Sequence, residues 1–181
     1  MARDASTTVG EDELVRAARG GDNDARAELV RRYQPPAYGL AVRLLGSREE
    51  ARDAVQEAFL RAFRQMHSLQ GAFGPWFFRI LVNLCYDTRR RRRRARVVPL
   101  NGEERADDEP DFALRELVRL ALARLPERYQ TVLLLRDVQG FSTTETAEAL
   151  GTTEGTARVL LLRARRRLAQ ILEELERSEH R

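Results

Sequence analysis

The chain has 181 residues, 32 basic and 28 acidic, for a net charge of +4, and every basic residue is arginine. A hydrophobic fraction of 43% excludes full disorder, the lone Cys85 excludes an internal disulfide, and His67 and His180 beside it argue against a Cys/His zinc site. No apolar run reaches the ~18 residues of a membrane span, and Met1-Ala2-Arg3-Asp4 lacks a signal-peptide core, so a cytoplasmic protein without membrane insertion is expected.

Helices are predicted throughout. Leu14, Val15 and Ala18 form a short apolar stripe ended by Gly20-Gly21. Asp22 or Asn23 is placed to cap a helix through Ala25, Leu29, Val30 and Tyr33. Pro35-Pro36 is expected to break that helix and open another with Tyr38, Ala41, Leu44 and Leu45. Gly46-Ser47 then reads as a stop and a cap, with Glu50 completing a capping box. One long helix follows from Arg48 to about His67, inward at Ala51, Ala54, Val55, Ala58, Phe59, Ala62, Phe63 and Met66. Residues 68–75 read as a loop, and Pro75 opens a helix from Trp76 into an arginine run.

Residues 97–111 hold Pro99, Gly102 and Pro110 among few apolar residues and read as a flexible linker. Beyond it a helix begins near Phe112, inward at Leu114, Leu117, Val118, Ala121 and Leu122, and breaks at Leu125-Pro126. Tyr129 to Val138 is strongly apolar and ends at Gly140. Ser142 and Glu145 form a second capping box, opening a helix to Leu150. Gly151 turns the chain, and a last helix runs from about Glu154 to Glu176. No strand is expected.

The small net charge conceals its pattern. Residues 89–96 carry seven arginines in eight positions, residues 101–111 carry six acids against one arginine, and Arg158, Arg163, Arg165, Arg166 and Arg167 form a second basic cluster. Basic clusters suit a polyanionic partner, although each also fits a solvated helix face. Segment 142–167 has the layout of a helix-turn-helix, in which Thr153 caps the second helix and Thr156, Arg158 and Arg163 face a major groove. A generic helical hairpin has the same pattern. In segment 76–96 aromatics meet cations, as single-stranded DNA binding requires. Successive helical residues turn by about 100°, so Trp76, Phe77 and Phe78 cannot all enter one core. No catalytic constellation, cofactor motif or metal cluster is evident, and without lysine no G-x-x-x-x-G-K-[ST] loop can form. Cys85 lies in an apolar stretch and reads as an inert core thiol.

The runs from Asp53 to Phe63, from Trp76 to Asp87 and from Leu125 to Gly140 resemble bacterial sigma-70-type factors. Asp53-Ala-Val-Gln-Glu-Ala-Phe-Leu-Arg-Ala-Phe63 is similar to region 2.1–2.2. Trp76-Phe-Phe-Arg-Ile-Leu-Val-Asn-Leu-Cys-Tyr-Asp87, with the arginines after it, is similar to regions 2.3 and 2.4. Leu125 to Gly140, continued by Ser142-x-x-Glu145-x-Ala147-x-x-Leu150-Gly151, resembles region 4. The order and the short acidic linker resemble the extracytoplasmic-function (ECF) group over roughly residues 11–172. The resemblance implies an all-α fold of two small domains, a four-helix region 2 type over 11–96 and a helix-turn-helix region 4 type over 112–176, joined by the acidic linker.

It further implies a promoter-recognition factor that is no enzyme and needs no cofactor or metal. Asp53, Gln56, Glu57, Phe59 and Arg61 would dock on the β′ clamp helices of core RNA polymerase, and the second domain would meet the β flap. Gln70, Phe73, Trp76, Arg79, Asn83, Arg89 and Arg90 would open and read the −10 element, with a flipped base held by loop 68–75. Thr153, Thr156, Arg158, Val159, Leu162, Arg163 and Arg165 would read the −35 element as duplex. An anti-sigma factor is an expected partner.

The recognition helix departs from the family, which often reads T-V-[KR]-S-R-L-x-R-A-R there. Val159 and Leu160 stand where a polar and a basic residue are usual. These apolar residues and Leu162 fit either thymine methyls or an inhibitor protein, and the sequence leaves both open. Two rival readings remain: a helix-turn-helix regulator acting without polymerase, and an RNA-binding adaptor using the arginine run. Neither has a use for the Asp53–Phe63 motif.

Overall fold

The computed structural model describes residues 10–95 and 112–179. The expected linker, 97–111, lies outside the described residues. Those residues form helices α1 (Glu11–Arg19), α2 (Asn23–Leu45), α3 (Arg48–Arg64), α4 (Phe73–Arg94), α5 (Phe112–Ala123), α6 (Glu127–Leu133), α7 (Thr143–Leu150) and α8 (Glu154–Glu179). They contain no strand. A 3-10 turn (Met66–Ser68) follows α3, and a π-helical segment (Leu134–Val138) continues α6.

Local chemistry sets most boundaries. Asp22 accepts from the backbone N–H groups of Asp24 and Ala25 to start α2. Gly46, with φ of 70°, ends it in the left-handed region that suits glycine. Ser47 caps α3 through the Glu50 N–H. Only that half of the expected box forms, because the Glu50 carboxylate reaches Arg92 at 2.5 Å instead. Ser142 and Glu145 complete a reciprocal box at α7. Hydrogen bonding with the Ser142 side chain and, second, with its backbone N–H holds Glu145 below the usual carboxylate range.

Three expectations change. Pro35 and Pro36 do not divide α2, which stays helical through both. Two prolines remove two backbone donors at a cost of ~3 kcal/mol or more each. Ala37, Leu40 and Ala41 beyond them are fully buried, and that packing holds the helix in line. Second, α4 begins at Phe73, with Pro75 inside its first turn, so the loop is shorter than 68–75. Third, Leu114 is exposed, not inward.

The first half is a four-helix domain around Leu29, Leu40, Phe77 and Leu81. Phe77 is fully buried among Tyr33, Phe59 and Phe73, with ring centroids 4.5 to 5.9 Å away. Tyr33 donates to Glu11 at 2.6 Å, and burial raises its phenol pKa well above the ordinary value. In the second half Ala121, Leu125, Val132, Ala164 and Ile171 form a smaller core between α5, α6 and α8.

The halves are not separate in this structure. Leu134, Leu135 and Ala149 belong to the core of the first half. Phe141 meets Phe78 edge-on with centroids 5.1 Å apart. Buried Gln130 donates to the Arg43 carbonyl at 2.9 Å, and Tyr86 donates to buried Thr131 at 2.8 Å. Arg89 reaches Glu127 at 2.9 Å and Gln130 at 3.0 Å, while Arg93 meets the same Glu127 oxygen at 2.9 Å. Phe78, Val82, Tyr86, Arg89 and Arg93 thus line the side of α4 that faces the second half.

One polar atom in this region lacks a partner among the described residues. The Thr146 hydroxyl is buried without a hydrogen bond. Thr146→Val keeps the shape and removes the unpaired group, so stability should rise by about 1 kcal/mol. Denaturant titration reads this directly, and a lower midpoint would show that the hydroxyl is satisfied.

Candidate functional site

Three exposed faces carry the residues singled out from sequence. The first lies on α3. Asp53, Glu57, Leu60 and Arg64 recur at helical spacing on its solvent side, flanked by Gln56 and Arg61. Glu57 and Arg61 pair at 2.7 Å. Phe59 does not belong to this face as expected: it is only 7% exposed, stacks on Phe63 and meets Phe77 at a tilt, so it supports the face from the core. Leu60, by contrast, is 43% exposed at the centre of the polar stripe. Sequence reasoning missed it, although it falls out of phase with the apolar positions of α3.

The second face belongs to α4 and the loop before it. Arg19 donates to the Leu69 carbonyl at 3.1 Å and ties the loop to α1. Gln70, Arg79, Asn83 and Arg90 are exposed, and Trp76 is half-buried. Trp76, Asn83, Asp87 and Arg90 follow one another down a single face. Phe73, expected among the −10 contacts, is 1% exposed and packs on Tyr33 and Phe77, so its ring offers no stacking platform. Of the three consecutive aromatics, Phe77 enters the core, Phe78 meets the second half and Trp76 stays at the surface. Arg89 is turned away from this face into the contact with Glu127, where burial lowers its pKa and Glu127 raises it.

The third face is the helix-turn-helix of α7 and α8. Gly151 turns the chain at φ of 62°, and an added Cβ would press on the Arg79 guanidinium. Thr153 caps α8 by accepting from the Thr156 N–H at 3.2 Å. Ala157 and Ala164 are buried, which leaves Thr153, Thr156, Arg158, Val159, Leu162, Arg163 and Arg165 all exposed. Arg158 pairs with Glu154 at 2.6 Å. Arg165 binds Asp137 through both carboxylate oxygens, at 2.5 and 3.1 Å, which raises its pKa.

Cys85 is fully buried and its thiol is pushed up to about 12 by desolvation. It is therefore inert at neutral pH. Among the described residues no group of acids, histidines and cysteine is placed to hold a metal, and no helix is long and apolar enough to cross a membrane.

Two family matches cover these faces: sigma-70 region 2 over residues 29–95 and sigma-70 region 4 over residues 115–168. The ECF RNA polymerase sigma factor SigM of Mycobacterium tuberculosis is 36% identical over 88% of this chain and 83% of its own length. The chain belongs to the ECF group of the sigma-70 family. SigW of Bacillus subtilis, another ECF sigma factor, is 29% identical over 89% of this chain and 96% of its own. Among solved structures, CnrH in complex with the cytosolic domain of CnrY superposes with a TM-score of 0.73. That match has 25% identity and covers 91% of this ECF chain and 97% of CnrH, so it takes in both halves at once. The three faces of this ECF factor therefore lie on the two regions that define its family.

Proposed function

We infer that the chain is a transcription initiation factor that binds bacterial core RNA polymerase, recognises −10 and −35 promoter elements and promotes DNA melting. It is a binding subunit, not an enzyme, and works in the cytoplasm. Residues 11–96 act as one domain and 112–176 as the other, joined by the acidic linker. The observation that carries the reading is the co-occurrence of three exposed faces on matching regions 2 and 4. A duplex-binding regulator that ignores polymerase has no use for the α3 face.

In this reading the α3 face docks on the β′ clamp helices through Asp53, Gln56, Glu57, Arg61 and the exposed Leu60. The second domain meets the β flap. Trp76, Arg79, Asn83, Arg90 and Gln70 handle the −10 element, with Phe73 packed beneath Trp76 as support, while Phe59 supports the α3 face. The α8 face takes the −35 duplex.

The two elements lie roughly 25 base pairs apart, or about 85 Å along the duplex at ~3.4 Å per step. Helix α8, with 26 residues, is about 39 Å long. Halves that touch through Arg89–Glu127 and Phe78–Phe141 cannot span that distance, so α4 and the second half must part on the promoter. Arg89 is then released to a phosphate. An anti-sigma partner would find in the contacting halves a state that cannot engage both promoter elements at once.

Gel filtration with core polymerase tests the reading: a stable one-to-one complex is expected, and its absence would end the proposal. Asn83→Ala should then slow open-complex formation at least tenfold while leaving −35 duplex binding unchanged. Equal loss in both assays would remove Asn83 from the −10 surface.

A further inference from the structure

The outer face of α8 is unusual for a duplex reader, because its centre is apolar. Val159 is 47% exposed and Leu162 62% exposed. Leu160 and Leu161 are only partly exposed and pack against the second core. Val159 borders an open pocket of about 340 Å³ lined by Arg128, Gly155, Thr156, Leu160 and Arg163. A side chain at Gly155 would meet nothing within 4 Å, so approach to Val159 is open from that side.

The cations around this patch divide into two sets. Arg158 and Arg165 are occupied by Glu154 and Asp137. Arg128, Arg163 and Arg166 form no ion pair among the described residues. Arg163 lies one helical turn beyond Val159, and Arg128 faces it across the pocket from α6. A small methyl-bearing centre flanked by unpaired guanidinium groups complements a particular partner. Phosphates satisfy the arginines, and the thymine 5-methyl is the apolar group that a base pair shows in the major groove. A protein-docking patch is usually several hundred Å² of contiguous apolar surface. Two side chains set among arginines do not supply it.

Resting on the reading that α7 and α8 bind promoter duplex, we propose that Val159, with Leu162 beside it, determines −35 specificity by contacting thymine methyl groups while Arg128 and Arg163 hold the flanking phosphates. Direct readout here is then by shape and methyl contact more than by arginine forks to guanine.

The test uses the full chain bound to core polymerase. Duplexes are selected from a randomised −35 block, and each thymine of the selected block is replaced in turn by deoxyuridine, which lacks only the methyl. At one or two positions uracil should weaken binding about fourfold per methyl. Val159→Ser, at an exposed position that leaves the fold intact, should bring that thymine-to-uracil ratio to one. Arg163→Ala should weaken all sequences alike, lower the salt slope by about one and leave the ratio unchanged. A ratio of one everywhere in the unmodified chain, with a selected sequence still bound, overturns the proposal while the −35 reading stands. That outcome is also the one a protein-docking patch would give. A ratio unchanged by Val159→Ser likewise overturns it. If no −35 sequence is selected at all, the reading beneath the proposal fails.

Discussion

Glu127→Arg should part the two halves of the chain. One Glu127 oxygen receives both Arg89 and Arg93 at 2.9 Å, and the side chains of Glu127 and Arg89 are each less than a quarter exposed. Reversing the charge sets three guanidinium groups together and leaves Arg89 without its counter-charge. Breaking a fully buried pair costs 3–5 kcal/mol, and partial exposure lowers this to about 1–3 kcal/mol. The other polar contacts, Tyr86–Thr131, Gln130–Arg43, Gln139–Pro36 and Arg89–Gln130, supply no counter-charge and do not replace it. Gln65 and Gln170 are exposed on opposite halves and suit paired cysteine labels for energy transfer. Cys85 can stay in place, because its buried thiol does not compete for the label. Transfer should fall in Glu127→Arg, and single-stranded −10 DNA should bind about tenfold tighter, equivalent to ~1.4 kcal/mol released from closure. Unchanged transfer would mean that the apolar contact of Phe78, Leu134, Leu135 and Phe141 holds the halves without the ion pairs.

Leu60→Asp is the second large effect. A residue 43% exposed at the centre of a polar stripe contributes little to the fold, so the variant should melt within about 1 kcal/mol of the parent. In a docked face the same position is the apolar centre of a polar rim, where truncation typically costs 2 kcal/mol or more. A buried charge costs more again. Affinity for core polymerase should fall at least thirtyfold, while −35 duplex binding by the isolated chain is untouched. Arg52→Ala, outside the stripe, serves as the comparison and should change affinity less than threefold. Equal losses in the two variants would move the docking face away from Leu60.

Much of this architecture is legible in the sequence. Caps and glycines mark the helix ends, since Asp22, Gly46, Ser142 and Gly151 each act locally. The helix-turn-helix is legible for the same reason. The motif resemblance names the regions, but a motif gives position along a helix and not which way a residue points. Phe59 and Phe73 show the limit, because both lie within expected contact segments and both turn into the core. Leu60 is the converse case. Pro35 and Pro36 read as a break because their cost is local, whereas the burial that outweighs it comes from other helices.

The contact between halves is the least legible feature. Nothing in the local pattern of Gln130, Thr131 or Glu127 marks them as partners of Arg43, Tyr86 and Arg89 some forty to ninety residues away. The contact also reassigns the arginine run. Arg89, Arg92 and Arg93 hold protein carboxylates, while Arg90 and Arg91 pair within α4. A run that looks like one basic patch is thus partly internal wiring.

In the proposed function this chain gives core polymerase a promoter choice. Mapping transcript 5′ ends made on genomic DNA by core polymerase with and without the purified chain tests it most directly. A limited set of new starts is expected, each preceded by two shared sequence blocks at near-constant spacing, and these should be lost with Leu60→Asp. Starts identical to those of core alone, or new starts with no shared upstream blocks, would contradict it.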